Sequence, residues 1–401
     1  MVGGQVVKPT REKNWGSRRG RRTRRAPSMA QCTFFYLPSR SVEGWIFCAA
    51  CGPGAKGLGF KNKQKSDFTV AYEVLGYDYS AMAASAGAAR SWALWFGGAW
   101  VAVAVGQAAR LGVKKGWRAA LSPLSNAGVF GLAKLIGALG ASMVGAGVVW
   151  SCWEARPWTA PNEWWAWGLC LLAQDYGFYW WHRLRHESAL WWATHESHHS
   201  SDELNLSTAF RITDAMNWFG AFLFMCPLAW LGFHPMAIAA CAFAGRCWQI
   251  WTHANGWLGP SVLDKVLVTD AVHRLHHARN LDYMDKNYGD MFSLWDRLHG
   301  TFADPSKPGP AARFGVPEGD PGRNPLWIAS RGFVRLAQEA WSQPEWWAKA
   351  ACLFAPPGWS RKHGFDETVR GMRRARSRGE LVLDDDGVPV KAAAGVGPAA
   401  P

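Results

Sequence analysis

Eight histidines fall in three short clusters: His182-x-x-x-His186, His195-x-x-His198-His199 and His273-x-x-His276-His277, with His253 between the last two. On a helix, residues three and four apart share a face, with side chains about 5–6 Å from one another. Each cluster can therefore aim two or three imidazoles the same way from one turn. Neutral imidazole suits Zn, Cu, Fe and Ni. One such ion takes about four to six ligands, so these nine nitrogens point to two ions. A single His pair on a helix is more often a satisfied pair of polar residues. Three clusters outweigh that reading, because so many buried imidazoles would leave many donors and acceptors to satisfy.

Two further patterns bear on the same chemistry. His195-Glu196-x-x-His199 fits the HExxH of zinc proteases, with Glu196 as general base, but that reading leaves His182, His186, His273, His276 and His277 unemployed. Asp175 stands seven residues before His182, on the same helical face. A carboxylate in an apolar run is costly and marks a functional site by default. It is expected to accept the second N–H of a ligating His and so fix its tautomer. The alternative is a structural ion pair with a buried Arg such as Arg246.

The elements that carry these clusters are apolar. Of 401 residues 49% are hydrophobic and 18% charged, which excludes a disordered chain. Nine Cys are too sparse, and odd in number, for a disulfide scaffold. The 27 Trp against 8 Tyr suit a chain at a membrane–water interface. Long apolar runs occupy Ser91–Ala109, Ala127–Trp150, Trp164–Trp181, Met216–Leu231 and Pro235–Trp251. A span needs roughly 20 apolar residues, so the first two qualify directly and the later ones require tilt or shielding. The last two runs are split by Gly232-Phe233-His234-Pro235. If that pair crosses and returns, His195–His199 meet His253 and His273–His277 on one membrane face. The expected fold is an all-α integral-membrane helical bundle of about four or five crossings. A helical cytosolic cap within 254–310 would hold the His-rich dinuclear site.

The ends differ from the middle. The first 40 residues carry ten Lys or Arg and one acid, Glu12, within a formal net charge of +14. This arm reads as a disordered tail, a transit peptide or a polybasic membrane contact. Nucleic-acid binding is disfavoured, since no aromatic interleaving or binding fold accompanies it. Cys48-Ala-Ala-Cys51 is a lone pair without a second half-site, and Lys391–Pro401 is a low-complexity tail. The expected organisation is a basic arm over 1–60, N-terminal membrane helices over 61–160, a catalytic domain over 161–310 and a C-terminal segment over 311–401.

The clusters resemble the fatty acid hydroxylase/sterol desaturase superfamily of membrane di-iron enzymes, whose pattern is HxxxH, HxxHH and HxxHH. HHSSDELNLSTAFR (His198–Arg211) and HRLHHARNLDYMDKNYGDMFSLWDRLHGTF (His273–Phe302) look like blocks of its alkylglycerol-monooxygenase-like branch, as does PPGW at Pro356–Trp359. The match covers roughly 160–360. Thr269-Asp270-Ala271-Val272, Ile212 and His299 depart from the branch without touching the clusters. The resemblance implies two Fe ions and dioxygen acting on a membrane lipid C–H bond, with an ether lipid favoured. It also implies a reductant, either a tetrahydropterin or cytochrome b5/NAD(P)H. A sterol or fatty-acyl hydroxylase or desaturase is the alternative within the superfamily, and a non-catalytic membrane metal-binding or transport protein the alternative outside it. Glu187, after His186, matches an acid of the branch and is expected to act at or beside the metals; otherwise it is a solvated surface acid. The expected location is the endoplasmic reticulum with a cytosolic catalytic face, a plastid or bacterial inner membrane being the alternatives. The basic residues Arg110, Lys114, Lys115 and Arg118 then sit on the cytosolic side. The basic arm opposes that orientation unless it is cleaved, translocated or preceded by a weak extra crossing within 68–88.

Overall fold

The structure is a computed structural model of the chain. It describes three strands within 34–59, residue 98, and residues 102–390 except 104, 138–140, 213–219, 255, 257, 258 and 318. Most of the basic arm, the segment 68–88, part of the run at 91–109, Cys51 and the tail 391–401 lie outside the described residues.

The chain divides into two compact units, Met1–Leu94 and Trp95–Pro401. In the first, β1 (Phe34–Leu37), β2 (Trp45–Cys48) and β3 (Leu58–Gly59) form an antiparallel sheet in the order β1-β2-β3, with Phe34 opposite Cys48 and Trp45 opposite Gly59. This sheet departs from the all-α expectation, which describes the second unit. Alternation of Phe, Tyr, Trp and Ile favours strand in both longer segments.

The second unit is helical. Its elements are α1 (Trp117–Gly137), α2 (Ala141–Glu154), α3 (Trp164–Glu187), α4 (Ala189–Ala193), α5 (Glu196–His199), α6 (Cys226–Trp230), α7 (Pro235–Thr252), α8 (Asp270–His276), α9 (Leu294–Leu298), α10 (Pro325–Ser342), α11 (Trp346–Phe354) and α12 (Val369–Ser377). The central element is α3, packed against α7 and α4. Ala166, Cys170, Gln174, Phe178, His182 and His186 recur every four residues and are all buried. The opposite face exposes Trp165, Leu169, Leu172 and Trp180, and Trp164 is exposed where the helix begins. The helix thus turns its polar groups inward and large apolar groups outward, the reverse of a water-facing helix.

Among the described residues no helix is both long and apolar enough to cross a membrane. The expected spans are interrupted. In the run at 127–150 the described helices are α1 and α2, with 138–140 outside the described residues; the run at 216–231 includes the short 3-10 turn Ala221–Phe224 and α6, and α3 carries Gln174, Asp175 and the polar end HRLRHE.

A second frame closes on the first from the C-terminal side. Helix α10 starts at Asn324, whose side chain accepts from the Leu326 and Trp327 N–H groups, with Pro325 in the first turn. It packs on α1, α4 and α5. Gly332 makes this approach possible: a Cβ there would lie 2.7 Å from the Ala193 carbonyl oxygen and 3.0 Å from the Ala193 Cα. Alanine is favoured over glycine inside a free helix by about 1 kcal/mol, so propensity and packing oppose each other at this position. Gly332→Ala is expected to lower the melting temperature and to reduce metal retention, because α10 must retreat from α4. A melting temperature equal to or above wild type would show that the contact does not hold the frame.

Candidate metal centre

The nine histidines converge, and they divide. The ring nitrogens of His182, His186, His195, His199 and His276 lie within 4.8 Å of one another, as do those of His198, His253, His273 and His277. The division follows from helical spacing. In each HxxHH cluster the first and last imidazoles, four residues apart, enter one group and the middle one enters the other. His195 and His199 join the first group while His198 joins the second; His273 and His277 join the second while His276 joins the first. Helix α3 adds its pair to the first group. His253, which ends α7, brings the second group to four. The groups abut: His199 and His277 stack with ring centroids 4.4 Å apart.

The nitrogens face one another as ligands of a common ion would. His195 Nε2 lies 3.0 Å from His182 Nε2 and 3.2 Å from His199 Nε2. His253 Nε2 lies 3.3 Å from His198 Nε2 and 3.2 Å from His273 Nε2, which is 3.1 Å from His277 Nε2. Metal–nitrogen bonds of about 2.0–2.1 Å give ligand–ligand edges of roughly 3.0 Å in an octahedron and 3.4 Å in a tetrahedron. Hydrogen bonding between imidazoles explains only part of the pattern: Arg185 donates to His195 Nδ1, which leaves the His195 Nε2 proton free to face His182. His182 Nδ1 donates to the Tyr288 carbonyl at 2.8 Å, His253 Nδ1 to the Gln249 carbonyl at 2.6 Å and His276 Nδ1 to the Lys286 carbonyl at 2.8 Å. In the neutral rings the proton is therefore on Nδ1, and Nε2 presents a lone pair. His186 Nε2 and His276 Nε2 are buried with no hydrogen-bond partner. These residues can hold metal, and the donor set fits borderline-soft divalent ions, including iron and zinc.

Burial keeps the rings neutral. Desolvation, reinforced by the Arg185 charge, lowers His186 to about 3, and desolvation lowers His253 to about 4. The other seven are held well below the usual imidazole range by burial first and by their neighbours second. No proton need leave an imidazole for it to bind a cation at neutral pH.

The surrounding layer is made of buried ion pairs and backbone bonds. Glu196 of the HExxH pattern pairs with Arg331 at 2.8 Å and Arg335 at 3.5 Å, tying α5 to α10, so it is not placed as a general base. Arg185 lies against His195 Nδ1. In the Asn205–Arg211 segment, Asn205 and Thr208 form a reciprocal cap. Arg211 donates to Asn126 on α1 at 2.6 Å and to Ser200 at 3.1 Å. Helix α8 is capped by Thr269, which accepts from the Val272 N–H and donates to Asp264 at 2.5 Å.

The two carboxylates singled out in the sequence lie elsewhere. Asp175 accepts from the Met291 N–H at 2.7 Å, the Phe292 N–H at 3.4 Å and the Trp295 indole at 2.6 Å, not from a histidine. It does not pair with Arg246 in these contacts. It anchors the loop whose Tyr288 carbonyl orients His182. Glu187 accepts from Arg183 at 3.0 Å and pairs with Arg370 at 3.3 Å, a partly exposed ion pair outside both groups. The carboxylate beside a histidine is Asp285, whose Oδ1 lies 3.7 Å from His186 Nδ1. Among the described residues, Asp285 and Asn287 are the non-glycine residues with positive φ, at 52° and 58°. The Asn287 amide holds that turn by donating to the Val272 and Ala303 carbonyls and accepting from the Ala303 N–H. Asp and Asn tolerate this conformation better than other side chains, which is the signal that could have singled out DKNYG. His299, unlike the clustered histidines, stacks on Tyr179 with centroids 5.1 Å apart and belongs to neither group.

The fatty acid hydroxylase family model matches residues 167–301, a span that contains all nine histidines. Residues 167–301 are a fatty acid hydroxylase family-model domain, about a third of the chain. The human alkylglycerol monooxygenase is 33% identical over 205 residues, which cover 51% of this chain and 44% of that enzyme. An ornithine lipid hydroxylase of Rhizobium tropici is 34% identical over 145 residues, covering 35% of this chain and 42% of its own. The human lathosterol oxidase is 29% identical over 140 residues, covering 34% and 44%. The chain spans less than half the length of these relatives. No solved structure matches it.

Asp285 and Glu187 are separable by mutation. Asp285→Asn keeps the size and removes the charge behind His186, so metal affinity is expected to fall about tenfold or more. Glu187→Gln is expected to leave metal content unchanged. Equal metal affinity in both variants would remove Asp285 from the site.

Proposed function

We propose that this chain is a membrane-bound, dioxygen-dependent monooxygenase that hydroxylates a C–H bond of a lipid, with an ether lipid as the favoured substrate class. The observation that carries the reading is the division of nine buried, neutral imidazoles into adjoining groups of five and four. His182, His186, His195, His199 and His276 would hold one Fe ion; His198, His253, His273 and His277 would hold the other. Bound there, the two ions supply the dioxygen-activating redox chemistry that an unactivated C–H bond requires and that acid–base side chains lack.

The chain's own residues prepare that chemistry. The Tyr288, Gln249 and Lys286 carbonyls fix the tautomer and orientation of His182, His253 and His276. Phe178 packs on His182, and Trp192 covers His186 and His199, so water is excluded from one flank of the first group. A tetrahydropterin, or a cytochrome b5/NAD(P)H system, would supply electrons. The relatives named above act on lipids by their names, and the reading extends that chemistry to this chain as a proposal.

A membrane location agrees with the outward faces. Trp164, Trp165, Leu169, Leu172 and Trp180 of α3 and Met236 and Phe243 of α7 are exposed. Apolar surface of this extent marks an interaction site, and rings with one N–H suit the bilayer boundary. We place the domain in the endoplasmic reticulum membrane with its histidines toward the cytosol. A transport function would require ligands near the bilayer midplane, whereas His253 and the α8 cluster follow the end of the apolar α7.

The test is turnover of alkylglycerols in membranes supplied with iron, a reduced pterin and labelled dioxygen. One labelled oxygen atom should enter the lipid, and replacing both His276 and His277 by Ala should abolish incorporation. Label incorporated at the wild-type rate by the double variant would overturn the assignment. Label found only with sterols or fatty acyl chains would move the substrate to the sister class.

A further inference from the structure

A cleft of about 450 Å3 opens beside the second histidine group. Its wall includes Ala254 and Arg274, which follow His253 and His273 directly in sequence. The helical stretch 105–115 contributes Gln107, Arg110 and Lys115, and the segment after His199 contributes Asp202 to Asn205. Four cations, Arg110, Lys115, Arg274 and Arg313, face two acids, Asp202 and Glu203. Lys115 is held by Glu203 at 2.5 Å, Arg313 by Asp386 at 2.6 Å, and the Arg274 guanidinium lies 5.2 Å above the Phe314 ring. Three of the four cations are thus positioned around the cleft by the protein, and Arg110 is exposed on its wall.

Two amide atoms on the same wall are unsatisfied. Gln107 Oε1 and Asn205 Nδ2 are buried without a hydrogen-bond partner. The Asn205 Oδ1 caps the Leu206–Phe210 turn, so its amide hydrogens remain for something else. Leaving buried polar groups unmade is costly. One is an acceptor and the other a donor, a pair that a hydroxyl group satisfies because it both donates and accepts. Arginine recognises phosphate through its planar fork of donors. None of these side chains is among the nine histidines.

We propose that this cleft is a headgroup subsite for a lipid that bears a phosphate and a free hydroxyl. Arg110 and Arg274 take the phosphate; Gln107 and Asn205 take the hydroxyl. The proposal rests on the reading of the domain as a lipid hydroxylase, and it gives the substrate a fixed register. A headgroup held beside His253 and His273 sets how far along the alkyl chain the reacting carbon falls.

Equilibrium binding to the metal-loaded full chain in a phosphate-free maltoside detergent tests it. The probes are an alkylglycerol, the same alkylglycerol carrying a 3-phosphate, and inorganic phosphate. The phosphate ester is expected to bind about tenfold more tightly than the neutral lipid, as charge-assisted hydrogen bonds imply. Arg110→Gln with Arg274→Gln should erase that preference while neutral-lipid affinity and metal content stay at wild type. Arg110→Gln alone, away from the metal groups, should lose part of the preference and guards against damage next to His273. Equal affinity for both lipids in the wild-type chain would overturn the subsite and leave the hydroxylase reading standing. So would a double variant that keeps the preference, or inorganic phosphate displacing the ester at the ester's own concentration. Binding of neither lipid would defeat the lipid reading itself, and the subsite with it.

Discussion

Nine imidazole rings buried together, their nitrogens gathered into groups of five and four, are an arrangement that a bound cation makes favourable. Two Nε2 atoms about 3 Å apart repel wherever both present a lone pair, and burial denies them water. His182, His253 and His276 are fixed in that state by the Tyr288, Gln249 and Lys286 carbonyls. The same burial that makes the arrangement costly holds the rings neutral and ready to bind. Every other element of the second unit can be understood as holding these rings against that tendency to part.

The holding is done by polar contacts that cross between elements. Asp175 reaches from α3 to the loop at Met291–Trp295, and Asp296 accepts from the Tyr288 and Gly289 N–H groups at 2.8 Å. The loop bearing the Tyr288 carbonyl is therefore clamped from both sides. Glu196 joins α5 to two arginines of α10, and Asn126 joins α1 to Arg211. Buried ion pairs of this kind contribute little net stability, because desolvation offsets the attraction. Their effect here is geometric: they fix which way α5 faces, and thus which metal group receives His198 and which His199.

The histidines were legible because helical spacing converts sequence into a shared face, and the split of each HxxHH cluster obeys the same rule. The apolar runs were legible as elements, but α3 ends its run in HRLRHE and the run at 216–231 holds the short turn Ala221–Phe224 and α6 rather than one long helix. The carboxylates were misplaced for geometric reasons. Seven residues along α3 amount to about 10 Å, too far for Asp175 to reach His182. Glu187, one residue after His186, is turned about 100° away from it and meets Arg183 instead. Asp285 was missed because its position depends on a left-handed turn, which periodicity does not register and which only the Asp and Asn of DKNYG signal. The small sheet left little trace in the sequence because its strands are only four, four and two residues long.

Metal stoichiometry tests the central claim most directly. The protein is loaded with iron under reducing conditions and its metal is counted per chain, for the wild type and for His253→Ala. Two ions in the wild type and one in the variant are predicted, because His253 serves only the group of four. A wild-type chain that binds a single ion, or a variant that still retains two with unchanged affinity, would contradict the division on which the account rests.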